Sequence, residues 1–266
     1  MRFLLSVIFV FVSLNATVYF AKVEPLQKYS IKSAVSGKVL STLQEQEGRL
    51  SSGKVILHLD DILNKKDLKS SIEQLDILEK MVRLTEKNLK NAQKVAKIRE
   101  QNYDKIKNLR TKSRVEKDNT LINSVNAQNQ ALSLMNNLEN LKSQLNAQRY
   151  KISVLKDTIN KKSIRVPKGY LIYKIYLQKG DFAGMGSPLV DAYDISMAKL
   201  TIFVSKEDYD LAKSGVIYMD GKKTNYRVNK LWKSADTQNI SSYKAEILIP
   251  APNVFSKLVK IEFKAK

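Results

Sequence analysis

The chain has 266 residues, enough for two or three small domains that each bury a core. It contains no cysteine, which excludes disulfides, thiolate metal sites, thiol catalysis and anchoring through a lipidated N-terminal cysteine. Lysine and arginine total 46 against 26 aspartate and glutamate, a formal charge of +20, yet no nucleic-acid-binding motif organises them, so they read as solvated faces. Arg2 is followed by Phe3-Leu4-Leu5-Ser6-Val7-Ile8-Phe9-Val10-Phe11-Val12, with no charge before Lys22. This is the pattern of a secretory leader, with Ala16 the best-placed small residue for cleavage. Left uncut, the apolar stretch through Ala21 is about nineteen residues, just enough to span a bilayer. Residues 1–21 are therefore assigned as a signal peptide, preferred, or an N-terminal membrane anchor. Either places the remainder outside the cytoplasm.

Residues 22–61 alternate as strands punctuated by glycine, and the pattern recurs at 162–196. SAVSGKVLSTLQEQEGRLSSGKVIL is answered by VPKGYLIYKIYLQKGDFAGMGSPLV. Gly37 precedes Gly48 by eleven positions and Gly169 precedes Gly180 by the same eleven, with Gly53 and Gly186 following at five and six. Two such copies, split by a long insertion, predict half-domains that must meet in space.

The insertion, residues 62–161, lacks proline and glycine and carries a heptad stripe on both sides of a midpoint. In the first arm the stripe runs Leu68, Ser71, Leu75, Leu78, Val82, Thr85, Leu89, Ala92, Ala96, Arg99, Tyr103 and Ile106. The second continues with Ser124, Ala127, Ala131, Leu134, Leu138, Leu141, Leu145, Gln148, Ile152, Leu155 and Ile159. Folding back near Lys112-Ser113, with a tip at 106–115, gives an antiparallel coiled-coil hairpin of roughly 70 Å at 1.5 Å per residue. Ser113 with Glu116 forms a capping box for the second arm, which one continuous helix would not need.

Residues 197–266 read as a small β-barrel: a strand over 199–204, a short helix opened by Ser205 and Asp208, running through Leu211 and ending before Gly215, then strands at 216–219, 226–232, 243–249 and 258–263. Asp220-Gly221 is a tight-turn signal between two strands. The fold class expected is an elongated multidomain α+β chain. Catalytic chemistry is not signalled. His58, the only histidine, lies on an apolar strand without a second soft ligand, and Asp60 and Asp61 are read as caps for the first arm. No phosphate loop or nucleophile motif occurs, so neither enzyme activity nor a cofactor is expected.

Leader, half a β domain, helical hairpin, the other half and a barrel, in that order, resemble the periplasmic adaptors called membrane fusion proteins, the HlyD family. The resemblance covers nearly the whole chain after the leader. It implies a lipoyl-like (biotinyl-lipoyl) domain made by the two β halves, packed side by side in a ring of six copies. It also implies two partners, an inner-membrane transporter and a TolC-like outer-membrane channel, with RND-type efflux favoured over ABC-type export. A carrier with a modified lysine is disfavoured, because helices occupy the turn such a lysine would need. The family's tip motif, Arg, Leu and Ser spaced by four and seven residues, maps here onto Asn102, Ile106 and Ser113. Asn102 cannot make the bidentate charged contacts of an arginine, and nearby Arg110 and Arg114 are candidates to supply that charge. The alternative is an exported structural coiled-coil spacer of the envelope, which would share the heptads without needing matched β halves.

Overall fold

The structure, a computed structural model, describes residues 17–236, 239 and 241–265. The expected leader falls mostly on residues 1–16, outside those described. In chain order the elements are β1 (Val18–Lys32), β2 (Gly37–Thr42), β3 (Val55–Leu59), α1 (Ile62–Ile106), α2 (Arg114–Lys161), β4 (Ser163–Arg165), β5 (Leu171–Ile175), β6 (Phe182–Ala183), β7 (Pro188–Ser205), α3 (Tyr209–Ser214), β8 (Val216–Met219), β9 (Lys222–Lys223), β10 (Val228–Leu231), β11 (Ser242–Pro250) and β12 (Leu258–Lys264). They form two compact units, one of strands and one of the two long helices over Leu59–Ser163.

Within the strand unit the two glycine-punctuated copies exchange hydrogen bonds reciprocally. The Gly48 amide donates to the Ile172 carbonyl at 2.8 Å and Ile172 returns a bond to Arg49 at 3.0 Å. At the matching place in the other copy, Gly180 donates to Val39 at 2.9 Å and Val39 donates to Asp181 at 2.8 Å. Gly48 and Gly180 hold φ of 75° and 102°, which a side chain resists, so the turn that aims each amide requires glycine. Between them the copies bury Val39, Ile56, Leu57, Val166, Ile172, Ala183 and Val190. Both copies therefore contribute buried residues to the strand unit. β4, β3, β2 and β6 make a four-stranded sheet, while β5 joins β7.

The remaining strands run β10-β11-β7-β1-β12-β8-β9 around a second core. Ala21 and Val23 of β1, Leu200, Ile202 and Val204 of β7, Ala245 and Ile247 of β11, and Val259, Ile261 and Phe263 of β12 fill it, with Ala212 of α3 against them. The alternation in β12 is the direct cause, since Val259, Ile261 and Phe263 point inward while their neighbours do not.

β1 differs from the sequence expectation. Val18–Lys22 pair with β12, the first four of them grouped there with the leader, and Ala21 is 1% exposed in the core. The strand then switches to β7 from Val23, across a bulge at Pro25, where proline has no amide to give the ladder. The second core thus begins with residues grouped with the leader or anchor in the sequence. Among the described residues, no helix is long and apolar enough to cross a membrane. The short helix ends before Gly215, as read from the sequence: Ser205 Oγ accepts the Asp208 amide at 3.3 Å, and α3 runs from Tyr209 to Ser214. Gly215 follows it in extended conformation, and the position requires glycine because a Cβ there would lie 2.5 Å from the Leu211 carbonyl oxygen and 2.9 Å from that of Lys264. Asp220 and Gly221 both take positive φ, 49° and 79°, in the tight turn expected between β8 and β9.

In the helical unit α1 and α2 lie antiparallel. Leu78 packs with Leu141 and Leu145, flanked by Leu75 and Val82. Every position of the two stripes is buried or half-buried except Arg99. The polar interruptions Ser71 and Gln148 meet each other: the Gln148 amide donates to the Ser71 carbonyl at 2.8 Å. At the base, Lys162 donates to the Asp60 carbonyl and the Asn64 side chain, both at 2.6 Å.

Candidate docking site at the helical turn

The turn between α1 and α2 gathers the residues singled out in the sequence. Asn102 and Ile106 occupy the last two turns of α1, four residues apart and so on one side of the helix. Asn102 is exposed and Ile106 half-buried. The Ile106 carbonyl accepts the Leu109 amide at 3.0 Å, and the Lys107 amide bonds back to Tyr103 at 2.9 Å, closing the helix. Arg110 sits in the turn itself. Ser113 is the N-cap of α2 in extended conformation, φ −65° and ψ 155°, and its hydroxyl accepts the Glu116 amide at 3.2 Å. Only half of the expected capping box forms. The Glu116 carboxylate turns to Lys112 at 2.6 Å instead of reaching back to the cap, because an ammonium is the stronger partner.

Charge at the turn is uneven. Residues 102–118 carry six basic side chains (Lys105, Lys107, Arg110, Lys112, Arg114, Lys117) and three acidic ones (Asp104, Glu116, Asp118). Lys107 bonds Asp104 at 2.7 Å, and that carboxylate holds its ammonium pKa above the ordinary lysine value. Arg114 approaches Asp118 only to 3.8 Å, and its side chain is 95% exposed. Arg110 has no ion pair among the described residues. Exposed pairs of this kind hold weakly, by about 0–1 kcal/mol, so both guanidiniums are free to take a carboxylate elsewhere. Beside them Leu109 is 45% exposed and Val115 69% exposed. Sequence reasoning passed over these two. Their signal was present, since both are apolar residues off the heptad stripe at the point where the helices end.

Elsewhere the candidate chemistry resolves into structure. The Asp60 carboxylate accepts the Ile62 amide at 3.0 Å. Asp61, the N-cap residue, is buried and pairs with Lys65 at 2.9 Å. His58 is half-buried in β3. Among the described residues no group of histidine, aspartate and glutamate could hold a metal ion.

No protein-family profile matches the sequence, and no curated protein matches it either. Solved structures do. MacA from Actinobacillus actinomycetemcomitans superposes over 93% of this chain and 78% of its own, with TM-score 0.62 at 12% identity. A MacA-MexA chimera carrying the α-hairpin domain of Pseudomonas aeruginosa MexA superposes over 94% and 81%, with TM-score 0.60 at 11% identity. The membrane fusion protein Spr0693 from Streptococcus pneumoniae R6 covers 94% of this chain and 100% of its own, with TM-score 0.57 at 10% identity. The chain has the fold of a membrane fusion protein. These superpositions take in the interlocked β copies, the helical pair and the second β core. At such identities the likeness is one of fold, and the turn residues have to be argued from this chain's own chemistry.

Proposed function

We propose that the chain is a periplasmic adaptor, linking an inner-membrane transporter to a TolC-like outer-membrane channel for efflux or export, with an RND-type pump ahead of an ABC-type exporter. In this reading α1 and α2 are a coiled-coil hairpin inserted into a split lipoyl-like domain, and the strands after Met197, together with the start of β1, form a barrel. Its work is mechanical coupling without turnover. Copies assemble side by side, six to a ring, the hairpins bundle, and their turns meet the channel.

The observation that carries the reading is the turn itself. A helical pair held by a mostly apolar stripe ends in an excess of cations, with Arg110 unpaired among the described residues, Arg114 weakly held, and Leu109 and Val115 uncovered. Leu109 and Val115 stand beside these cations, the arrangement of apolar anchors ringed by charge that suits a docking surface. Asn102, Ile106 and Ser113 complete that surface. The test is complementation. Arg110→Glu with Arg114→Glu should abolish the export phenotype while the protein remains exported and folded, and Lys87→Glu with Lys90→Glu, mid-arm on α1, should not. Equal effects of the two pairs would remove the turn from the mechanism.

A further inference from the structure

The second β core carries a cleft that the docking role does not use. It has a volume of about 430 Å³ and is lined by Lys206, Tyr209, Asp210, Lys213, Lys233 and Tyr243. Tyr209 and Tyr243 pack edge to face, their centroids 4.9 Å apart, and both are half-buried, so they form a fixed apolar wall. Tyr209, Asp210 and Lys213 lie on one side of α3, and Lys206 stands in the bend just before it.

On the same sheet Lys199, Lys244, Lys260 and Lys264 stand beside a carboxylate, whereas Lys222, Lys223 and Lys230 have no ion pair among the described residues. Lys206, Lys213 and Lys233 have no ion pair among the described residues. The acids adjacent to Lys206 in the chain are engaged elsewhere. Asp208 accepts the Tyr19 hydroxyl at 2.6 Å, and Glu207 is turned to its own amide and the Ser205 hydroxyl, which hold its carboxyl below the usual range. Asp210 alone stays in the cleft, leaving an excess of two positive charges around an aromatic wall. Charge of one sign beside a low-dielectric wall concentrates counter-ions.

We propose that this cleft binds a small amphipathic organic anion, its flat apolar body against Tyr209 and Tyr243 and its sulfonate, carboxylate or phosphate head at Lys206, Lys213 and Lys233. A volume of this size suits a ligand of one or two fused rings. The site stands independently of the adaptor reading, because binding is read on the isolated chain.

The experiment titrates the full chain with 1-anilinonaphthalene-8-sulfonate and, separately, with N-phenyl-1-naphthylamine, which is the same molecule without the sulfonate. Trp232, the only tryptophan, is the neighbour of Lys233 and serves as the energy-transfer donor. The expected result is saturable binding of the sulfonate, about tenfold tighter than the neutral probe. Lys213→Gln with Lys233→Gln should remove that advantage while leaving neutral-probe binding and the circular dichroism unchanged. Lys222→Gln with Lys223→Gln, an equal loss of charge on the exposed β9, should change nothing. Equal affinity for the two probes, an equal loss in both lysine pairs, or no saturation would each overturn the proposal. So would capture of phosphatidylglycerol vesicles, lost in the Lys213/Lys233 variant, without binding of the free sulfonate. That outcome would make the patch a membrane contact.

Discussion

Leu141→Ala tests whether the helical pair is held by its heptad stripe. Leu141 is 5% exposed and lies in one layer with Leu78 and Leu145, flanked by Leu75 and Val82. Truncation removes three carbons, worth about 2.4 kcal/mol at roughly 0.8 kcal/mol per buried methylene. A cavity adds to this, and the usual range for the change is about 2–5 kcal/mol. The layer is only two helices deep, so its open flanks let neighbours close in, and the expected loss is about 2–3 kcal/mol. Leu132→Ala is the control, identical in chemistry but 52% exposed, with an expected change below about 0.5 kcal/mol. Urea unfolding followed at 222 nm reads the right unit, because α1 and α2 have 45 and 48 residues whereas α3 has six. If Leu132→Ala costs as much as Leu141→Ala, the stripe is not what joins the helices.

Three further outcomes follow from single sites. Gly180→Ala, at φ 102° with open space around it, should cost about 1–3 kcal/mol from backbone strain alone, read by urea unfolding in near-ultraviolet circular dichroism. Ser113→Ala should cost about 1 kcal/mol and act locally, with faster hydrogen exchange at the Glu116 amide and none gained at mid-helix, while Ser113→Asp keeps the protection. Burial, and then the bond to Asp208, raise the Tyr19 phenol above its ordinary pKa of 10.0. The stabilisation tied to that shift is full below pH 10 and lost as pH climbs through the folded value. Tyr19→Phe should therefore show a shallower fall of stability with pH above 10, and an unchanged slope would assign the effect to other groups.

The helical pair was legible because its signal is local and periodic. A stripe spaced three and four apart, uninterrupted by glycine or proline, leaves little choice, and even the polar members Ser71 and Gln148 proved to be partners. The glycine repeat showed where two copies would meet, since positive φ at Gly48 and Gly180 is a requirement written in the residue itself. Long-range pairing was less visible. Val18–Ala21 read as the tail of an apolar leader because strand alternation over four residues is hidden when an apolar run feeds into it. Only the partner strand β12, some 240 positions later, reveals their place. The Tyr19 bond to Asp208 and the cleft at Tyr209 and Tyr243 are invisible for the same reason. At the turn, Ser113 announced itself as a cap, but Glu116 could choose Lys112 only once the backbone had folded.

The adaptor reading is tested most directly by placing a single cysteine in a chain that has none. Ser113→Cys, expressed in a two-membrane cell with its own partners and treated with a short thiol-to-amine crosslinker, should give a discrete adduct with an outer-membrane channel. Gln93→Cys, in the middle of α1, should give none. No adduct at Ser113, with the channel present and the protein exported and folded, would contradict the docking account and leave the chain a structural spacer.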